Sequence, residues 1–288
     1  MSYTTRDGTS LYYEHDQSEG EDETVVFVEG LGVGRWLWHW QREAFADEYD
    51  LLLPDNRGSG DSDAPLPPVV PRLPQALRVL WFLKIGGYSI EAMAADLEAV
   101  LADAGVERAH IVGASMGGMI AQQYALEYDR AESLCLLCTT HGGEDAVPIP
   151  DETQTQIYDT PEDATEREKI RHRMGPALTD RFAEENPETI EQILDWREEQ
   201  DADEVPREAQ GAAGANFDVS DRVREIDLPT LVLHGTDDRV LPVENGKRIA
   251  EKLPDAQLEI LEGAPHMLMI ERSKEVNGLL GGFLTEQR

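Results

Sequence analysis

The sequence predicts an α/β protein built on a mostly parallel β-sheet with helices on both faces. Short apolar runs of strand length alternate along the chain with stretches of helical periodicity. A G-x-S-x-G motif lies directly between one such run and a helical stretch. At 288 residues, the chain is long enough for one large domain that carries an insertion.

Six apolar runs are predicted strands of the sheet, and a seventh is expected to pair antiparallel at one edge. The six are TVVFVEG, YDLLLPDNRG, AHIVGAS, AESLCLLCTT, TLVLHGTDD and AQLEILEGAPH, and the seventh is LYYEHDQ at residues 11–17. Three helices are predicted between them. They cover residues 88–105, with Ser89 as N-cap and Gly105 as the stop, and residues 116–129 and 243–255.

Two segments interrupt this alternation. Residues 141–220 are acidic and helical in pattern, so we interpret them as a helical cap inserted into a core of residues 1–140 and 221–288. Residues 64–87 carry five prolines followed by a short apolar helix around Leu77 to Ile85. That helix is too short to span a bilayer, and we expect it to pack on the core or cap. Contact of its aromatic residues with an apolar substrate or a membrane surface is the alternative.

Charge is the unusual feature of the composition. The chain has 58 Asp and Glu against 25 Lys and Arg, a formal net charge of −33. Such a surface repels nucleic acid and anionic membranes, so we expect neither as a stable partner. The acids are spread along the chain, a pattern similar to proteins of salt-loving microbes. The N-terminus lacks a secretory signal pattern, and we expect a cytoplasmic protein.

The two cysteines, Cys135 and Cys138, form a C-x-x-C within an apolar run rather than on a turn. Residues three apart in a strand face opposite sides of the sheet. We therefore predict buried thiols rather than a redox pair or a zinc half-site, and we expect no bound metal. Their small number favours a reducing compartment.

The stretch VVFVEGLGVGRW, residues 25–36, places three glycines after a predicted strand. A dinucleotide fingerprint would need a further glycine where the chain has Arg35, and no phosphate-binding loop ending is present. We expect no nucleotide cofactor. The alternative is that the glycines bring backbone N–H groups close to an oxyanion that forms during acyl transfer.

The G-x-S-x-G motif places Ser115 in the context of a nucleophile elbow, a sharp turn between strand and helix. Met116 would then offer its backbone N–H at the start of the helix. A serine nucleophile needs a base and an orienting acid, in the chain order Ser, Asp or Glu, His. Two aspartates, Asp237 and Asp238, follow the strand after the cap, and His266 follows the last strand.

With these residues the chain resembles the α/β-hydrolase superfamily, in particular its capped, cofactor-free esterase, lactonase and haloperoxidase-like members. The matching motifs span nearly the whole chain in the family order. They are V-x-G-L-G at Gly30, D-N-R-G-x-G-x-S from Asp55 to Ser62, G-A-S-M-G-G at Ser115, H-G-T-D-D-x-x-x-P at Asp238 and G-A-P-H at His266.

The resemblance implies the α/β-hydrolase fold and an acyl-enzyme mechanism without cofactor or metal. Ser115 would attack a carbonyl carbon while His266 takes its proton, and the backbone N–H groups of Leu31 and Met116 would form the oxyanion hole. The family's acid lies four residues before the proline, which gives Asp238.

The implied substrate is a small-molecule carboxylic ester or lactone. The same triad is compatible with cofactor-free perhydrolase or haloperoxidase-type chemistry, and a ligand-binding protein without turnover is a third interpretation. Oligomeric state does not follow from these motifs.

One position departs from the family pattern, since Glu29 stands where the family usually has His. A carboxylate aimed at an oxyanion would oppose it, although the donors are backbone groups and none is lost. We expect Glu29 in the substrate pocket to point away from the oxyanion, to pair with a cation or to be protonated. A new acid or base is the alternative. Trp36 and His141 are further candidates for the pocket.

The acidic composition generates a first prediction, on stability in salt. Raising the ionic strength from 0.1 M to 1 M shortens the Debye length from about 10 Å to about 3 Å, which screens carboxylate repulsion. We expect the melting temperature to rise with KCl over this range, and calorimetry at several KCl concentrations would measure it. A melting temperature independent of salt would contradict the interpretation of the surface.

Overall fold

The computed structural model describes residues 1–18, 23–86, 88–158 and 163–288, and an eight-stranded sheet lies at the centre of these residues. The strands are β1 (Ser2–Arg6), β2 (Thr9–Asp16), β3 (Thr24–Val28), β4 (Asp50–Pro54), β5 (Ala109–Ala114), β6 (Ala131–Leu137), β7 (Thr230–Gly235) and β8 (Ala256–Leu261). Their order is β1-β2-β4-β3-β5-β6-β7-β8. The β1–β2 and β2–β4 pairs are antiparallel and all others are parallel. The predicted fold class is confirmed.

One strand was not predicted, and it changes the edge of the sheet. The stretch LYYEHDQ lies in β2, but β2 pairs with both β1 and β4, so β1 occupies the edge. The sequence of β1, SYTTR, has few apolar residues because the strand alternates between exposed and half-buried positions. A short polar edge strand leaves little pattern for sequence analysis.

The described residues form twelve α-helices. They are α1 (His39–Phe45), α2 (Gln75–Lys84), α3 (Ile90–Asp103), α4 (Met116–Glu127), α5 (Asp151–Tyr158), α6 (Glu166–Met174), α7 (Asp180–Glu185), α8 (Pro187–Gln200), α9 (Glu204–Ala215), α10 (Glu244–Lys252), α11 (Leu268–Glu271) and α12 (Ser273–Glu286). The predicted start of α3 is confirmed, since the Ser89 hydroxyl accepts the Ala92 N–H at 3.2 Å. Gly105 follows the helix and has a positive φ of 72°.

Helices α5 to α9 occupy the chain between β6 and β7. The two ends of this segment meet, because Gly142 forms an antiparallel bridge with Asp218. The N–H of Val219 also donates to the carbonyl of His141 at 2.9 Å. Such an arrangement is compatible with an insertion that leaves and re-enters the core at one place. The cap boundaries of 141 and 220 stay a prediction.

The apolar helix predicted around Leu77 to Ile85 is confirmed as α2, and it packs against α9. Arg78 joins the two helices through a two-pronged pair with Glu208, with N–O distances of 2.7 and 2.8 Å. Leu77, Leu80 and Ile85 are exposed on the outer surface. None of the described helices combines the length and the apolarity that a membrane crossing requires.

The apolar core has two layers, one on each face of the sheet. Both cysteines are buried free thiols, as predicted, and both lie in the layer that contains Phe27. The expectation that they face opposite sides was wrong. Cys138 lies beyond the last residue of β6 and has a φ of 46°, so the alternation of a strand no longer applies there.

Candidate active site

Ser115 lies at the junction of β5 and α4 with a strained backbone. Its φ of 54° and ψ of −117° are values that residues with a side chain rarely adopt. Two glycines make the turn possible. A Cβ atom on Gly117 would lie 2.1 Å from the Val28 carbonyl oxygen, and one on Gly113 would lie 2.3 Å from the Gly117 oxygen. The elbow therefore requires glycine at both positions.

The loop after β3 passes directly beside Ser115. A Cβ on Gly30 would lie 3.4 Å from the Ser115 Cβ, so the next residue, Leu31, is close to the serine. Neither the N–H of Leu31 nor that of Met116 has a hydrogen-bond acceptor among the described residues. Met116 begins α4, where the helix dipole is positive. Two backbone donors are thus available to an anionic oxygen near Ser115.

Asp238 and His266 form a hydrogen-bonded pair at the carboxyl ends of β7 and β8. The His266 Nδ1 lies 2.8 Å from Asp238 Oδ2, and both residues are buried. The other oxygen of Asp238 accepts the N–H groups of Val240 and Leu241, each at 2.8 Å. These bonds fix the carboxylate and, through it, the plane of the imidazole.

The ionised form of Asp238 is stabilised despite its burial. Burial opposes ionisation, but the charge of His266 and the hydrogen bonds from His234 and His266 outweigh it, so the pKa of Asp238 is well below its usual range. The His234 Nε2 lies 3.3 Å from Asp238 Oδ2. Asp237, the alternative acid, has none of these contacts in the described structure, and its carboxylate accepts the Thr236 hydroxyl at 3.2 Å.

Within the described residues no hydrogen bond joins Ser115 Oγ to His266. Since Nδ1 of His266 is held by Asp238, Nε2 is the ring nitrogen left for a serine. Nucleophile–base contacts are often long before a substrate binds and tighten in the complex.

Cys138 lies beside the Asp238–His266 pair, and its sulfur is a third atom there of a type that can bind a metal. Its sulfur, a carboxylate oxygen of Asp238 and a ring nitrogen of His266 all lie within 4.8 Å of one another. Burial, followed by the charge of Asp238, raises the pKa of the Cys138 thiol well above its usual value. Metals bind the thiolate, and Asp238 and His266 already bind each other, so the donor set fits a hydrogen-bonded dyad better than a metal site.

Glu29 is fully buried and its carboxylate is turned towards the loop after β4. Its Oε1 accepts the backbone N–H of Asn56, and the Asn56 side-chain amide donates to the Glu29 carbonyl at 3.0 Å. Oε2 is buried without a partner in the described structure. Burial, followed by the nearby charge of Asp55, raises the pKa of Glu29 well above its usual value. The protonated state among the expectations for Glu29 agrees with these contacts.

The two other pocket candidates are buried in different surroundings. Trp36 packs against the segment between β6 and β7. Its Nε1 donates to Asp201 at 2.9 Å, and its ring stacks on that of Trp196 with the ring centroids 6.4 Å apart. His141 is held through Nδ1 by the Gly142 carbonyl at 2.7 Å. In the described structure, none of its hydrogen bonds reaches the Asp238–His266 pair, and its place in a pocket stays a prediction.

Two residues near the site lie outside the sequence-based set. His234 contacts Asp238 and donates from Nε2 to the Leu241 carbonyl at 2.8 Å. Its position four residues before the acid was a usable signal. Gln210 of α9 accepts the Gly32 N–H at 2.6 Å, a contact 178 residues apart in the chain that no local pattern encodes.

A family model described as alpha/beta hydrolase fold matches residues 23–273. Because the match covers most of the chain and the fold and site agree with it, the chain belongs to the α/β-hydrolase family and is a hydrolase.

Several relatives extend over nearly the full length. The putative carbamate hydrolase RutD of Stutzerimonas stutzeri is 27% identical and aligns with 96% of this chain and 97% of its own. A 2-hydroxy-6-oxo-6-phenylhexa-2,4-dienoate hydrolase of Burkholderia cepacia is 28% identical, over 96% and 93% of the two chains. The solved structure of an N-acyl homoserine lactone degrading enzyme superposes with a TM-score of 0.76 at 28% identity, over 98% and 100%.

The Asp238–His266 pair generates a prediction on rate. Replacing Asp238 with Asn removes the charge that holds the imidazole in the required tautomer, so we expect kcat on any turned-over substrate to fall by about 10³ to 10⁴. Steady-state kinetics would measure the loss. Asp237→Asn is the matched control and should retain nearly all activity. Equal losses in both variants would contradict the assignment.

The environment of Glu29 generates a prediction on pH dependence. A carboxyl whose pKa is raised by folding contributes stability that is complete below its unfolded pKa of about 4.3 and is lost as pH rises through its folded pKa. Glu29→Gln keeps the shape without the charge. Above about pH 4.5, urea unfolding should therefore show a steeper loss of stability with pH in the wild type than in Glu29→Gln.

The same variant tests the alternative role of Glu29. A kcat close to that of the wild type in Glu29→Gln would exclude an acid–base function for this carboxyl group. A loss of kcat comparable to that of Asp238→Asn would support such a function.

Proposed function

We propose that this hydrolase cleaves a carboxylic ester or a lactone of a small molecule through an acyl-enzyme on Ser115. The observation that carries the proposal is a pair of backbone N–H groups, of Leu31 and Met116, beside a serine on a strained turn. Neither group has an acceptor among the described residues. Donors left without a partner at such a place are suited to a charge that develops only during the reaction.

In the proposed acylation step, Ser115 Oγ bonds to the carbonyl carbon and its proton passes to Nε2 of His266. The carbonyl oxygen becomes an oxyanion that accepts the N–H groups of Leu31 and Met116. Asp238, ionised by its hydrogen bonds, stabilises the imidazolium that forms. Each oxyanion donor contributes about 3 to 4 kcal/mol to such a transition state.

In the second half, the tetrahedral intermediate collapses and the bond to the leaving oxygen breaks. His266 gives its proton to that oxygen, which departs as an alcohol, or stays attached when the substrate is a lactone. Water then loses a proton to His266 and attacks the acyl carbon, and the proton returns to Ser115 as the acid is released.

The relatives support hydrolysis at a carbonyl group, but they differ in the bond that is cleaved. Their names refer to a carbamate, a dienoate and an N-acyl homoserine lactone. An ester or lactone needs only the groups described above, since the leaving oxygen requires one proton and His266 supplies it. Perhydrolase chemistry would use the same residues with peroxide in place of water, and peroxide-dependent halogenation in acetate would reveal it.

The decisive test is labelling of the serine. Wild-type protein incubated at high salt with a fluorophosphonate should gain the mass of one phosphonyl group, because an activated serine displaces fluoride. Ser115→Ala should gain none, and intact-protein mass spectrometry would measure both. A panel of 4-nitrophenyl esters and of lactones then defines the bond that is cleaved.

Unlabelled protein whose circular dichroism shows a folded chain would contradict the proposal. Saturable binding of an ester by that protein without acyl-enzyme formation would favour the non-catalytic interpretation.

A further inference from the structure

Buried arginines in this protein are usually neutralised by carboxylates. With 58 acidic residues against 25 basic ones, such partners are easily supplied. Arg57 forms two bonds of 2.6 Å with the buried Asp96. Arg197 pairs with the buried Asp201 at 2.7 Å, as Arg78 does with Glu208. An uncompensated arginine in such a chain therefore needs an explanation.

Arg207 of α9 has no such partner among the described residues. It is partly buried, and the one hydrogen bond of its side chain within those residues runs from Nη1 to the Ala202 carbonyl at 3.3 Å. No carboxylate of the described residues lies within ion-pair distance of its guanidinium. Burial, followed by the positive charge of Arg173, lowers the pKa of Arg207. The charges of Asp201 and Glu166 act in the opposite direction and offset part of this effect.

Arg173 of α6 is incompletely satisfied in the same region. Its side chain is only 7% exposed, and its ion pair is with Glu166 at 3.2 Å. The Glu166 carboxylate is 64% exposed and also lies 3.9 Å from Lys169, so its charge is shared and solvated. The Nε of Arg173 is buried without a hydrogen-bond partner in the described structure. A buried charged donor left unpaired favours an added acceptor.

Each arginine belongs to a segment that contacts a loop of the candidate site. The Cγ and Cδ atoms of Arg207 would lie 3.0 Å from a Cβ on Gly32, which follows Leu31 of the proposed oxyanion hole. Arg173 is near the end of α6, and just beyond it the Ala177 carbonyl accepts the N–H of Met267, adjacent to His266, at 2.8 Å.

We propose that Arg173 and Arg207 form an anion subsite for the substrate, so that the preferred substrate is an ester or lactone that also carries a free carboxylate. This inference rests on the proposed function of Ser115. Guanidinium groups bind carboxylates through two parallel hydrogen bonds, and a bound carboxylate would relieve the repulsion between the two cations.

The subsite is compatible with a net charge of −33. Salt screens exposed carboxylates over about 3 Å at 1 M, whereas a partly buried charge pair is screened much less. At high salt, the attraction of the two arginines for an anion therefore persists while the repulsion of the surface is reduced.

The experiment compares substrates that differ only in charge, at constant chloride concentration. One pair carries the charge on the acyl side, 4-nitrophenyl hydrogen glutarate and its terminal primary amide. The other carries it on the alcohol side, 4-carboxyphenyl acetate and 4-carbamoylphenyl acetate. We expect the wild type to favour the anionic member of at least one pair by about tenfold or more in kcat/KM, as one charge-assisted hydrogen bond allows.

Substitutions of the two arginines test whether they cause the preference for the anionic substrate. The preference should disappear in Arg207→Gln and in Arg173→Gln, and Arg207→Lys should keep part of it because the charge remains. Arg181→Gln is the matched control, since Arg181 lies on α7 with 83% of its side chain exposed. It should keep the wild-type preference.

Binding without turnover separates this inference from the proposed function. Calorimetry with Ser115→Ala should detect glutarate and not glutaramide, and the additional change Arg207→Gln should abolish the signal. A wild type that accepts the phosphonate label and turns over the neutral esters, but shows no preference in either pair, would overturn the subsite and leave the serine hydrolase intact. Absence of label with glutarate still bound would overturn only the acyl-enzyme.

Discussion

The site depends on a backbone approach too close for any side chain. The end of β3 and the start of α4 come so near that a Cβ on Gly117 would lie 2.1 Å from the Val28 carbonyl. This approach places the loop of Gly30 against Ser115. Within the part of the chain that the structure describes, the N–H groups of Leu31 and Met116 have no acceptors. The strain at Ser115 is maintained because the packed sheet and helix leave the turn no alternative path.

Two buried carboxyl groups, those of Asp238 and Glu29, show how the number of hydrogen-bond donors shifts the pKa of a carboxyl group. Asp238 accepts two backbone N–H groups and the His266 ring, with His234 close by, and these contacts outweigh burial. Glu29 accepts one backbone N–H, has an unpartnered oxygen in the described structure and lies near another acid. The contacts therefore lower the pKa of the first, whereas burial raises the pKa of the second, although both are buried.

Sequence analysis predicted those parts of the fold and site that are encoded locally. The elbow at Ser115 occupies five consecutive residues between a strand and a helix, and Asp238 could be counted back from a proline. The edge strand β1 and the helix α1 lack such patterns. The contacts of Glu29 with Asn56 and of Gly32 with Gln210 join residues 27 and 178 positions apart, so they are set by packing and cannot be derived from spacing.

The segment between β6 and β7 holds the loop after β3 directly. Both backbone groups of Gly32 are bound there, the N–H by Gln210 at 2.6 Å and the carbonyl by the Ala202 N–H at 3.1 Å. The position of Leu31, and with it one proposed oxyanion donor, is thus fixed by residues of the same segment that supplies Arg207. Substitution of Gln210 should therefore change kcat together with KM, because the proposed anion subsite and the proposed oxyanion donor share one support.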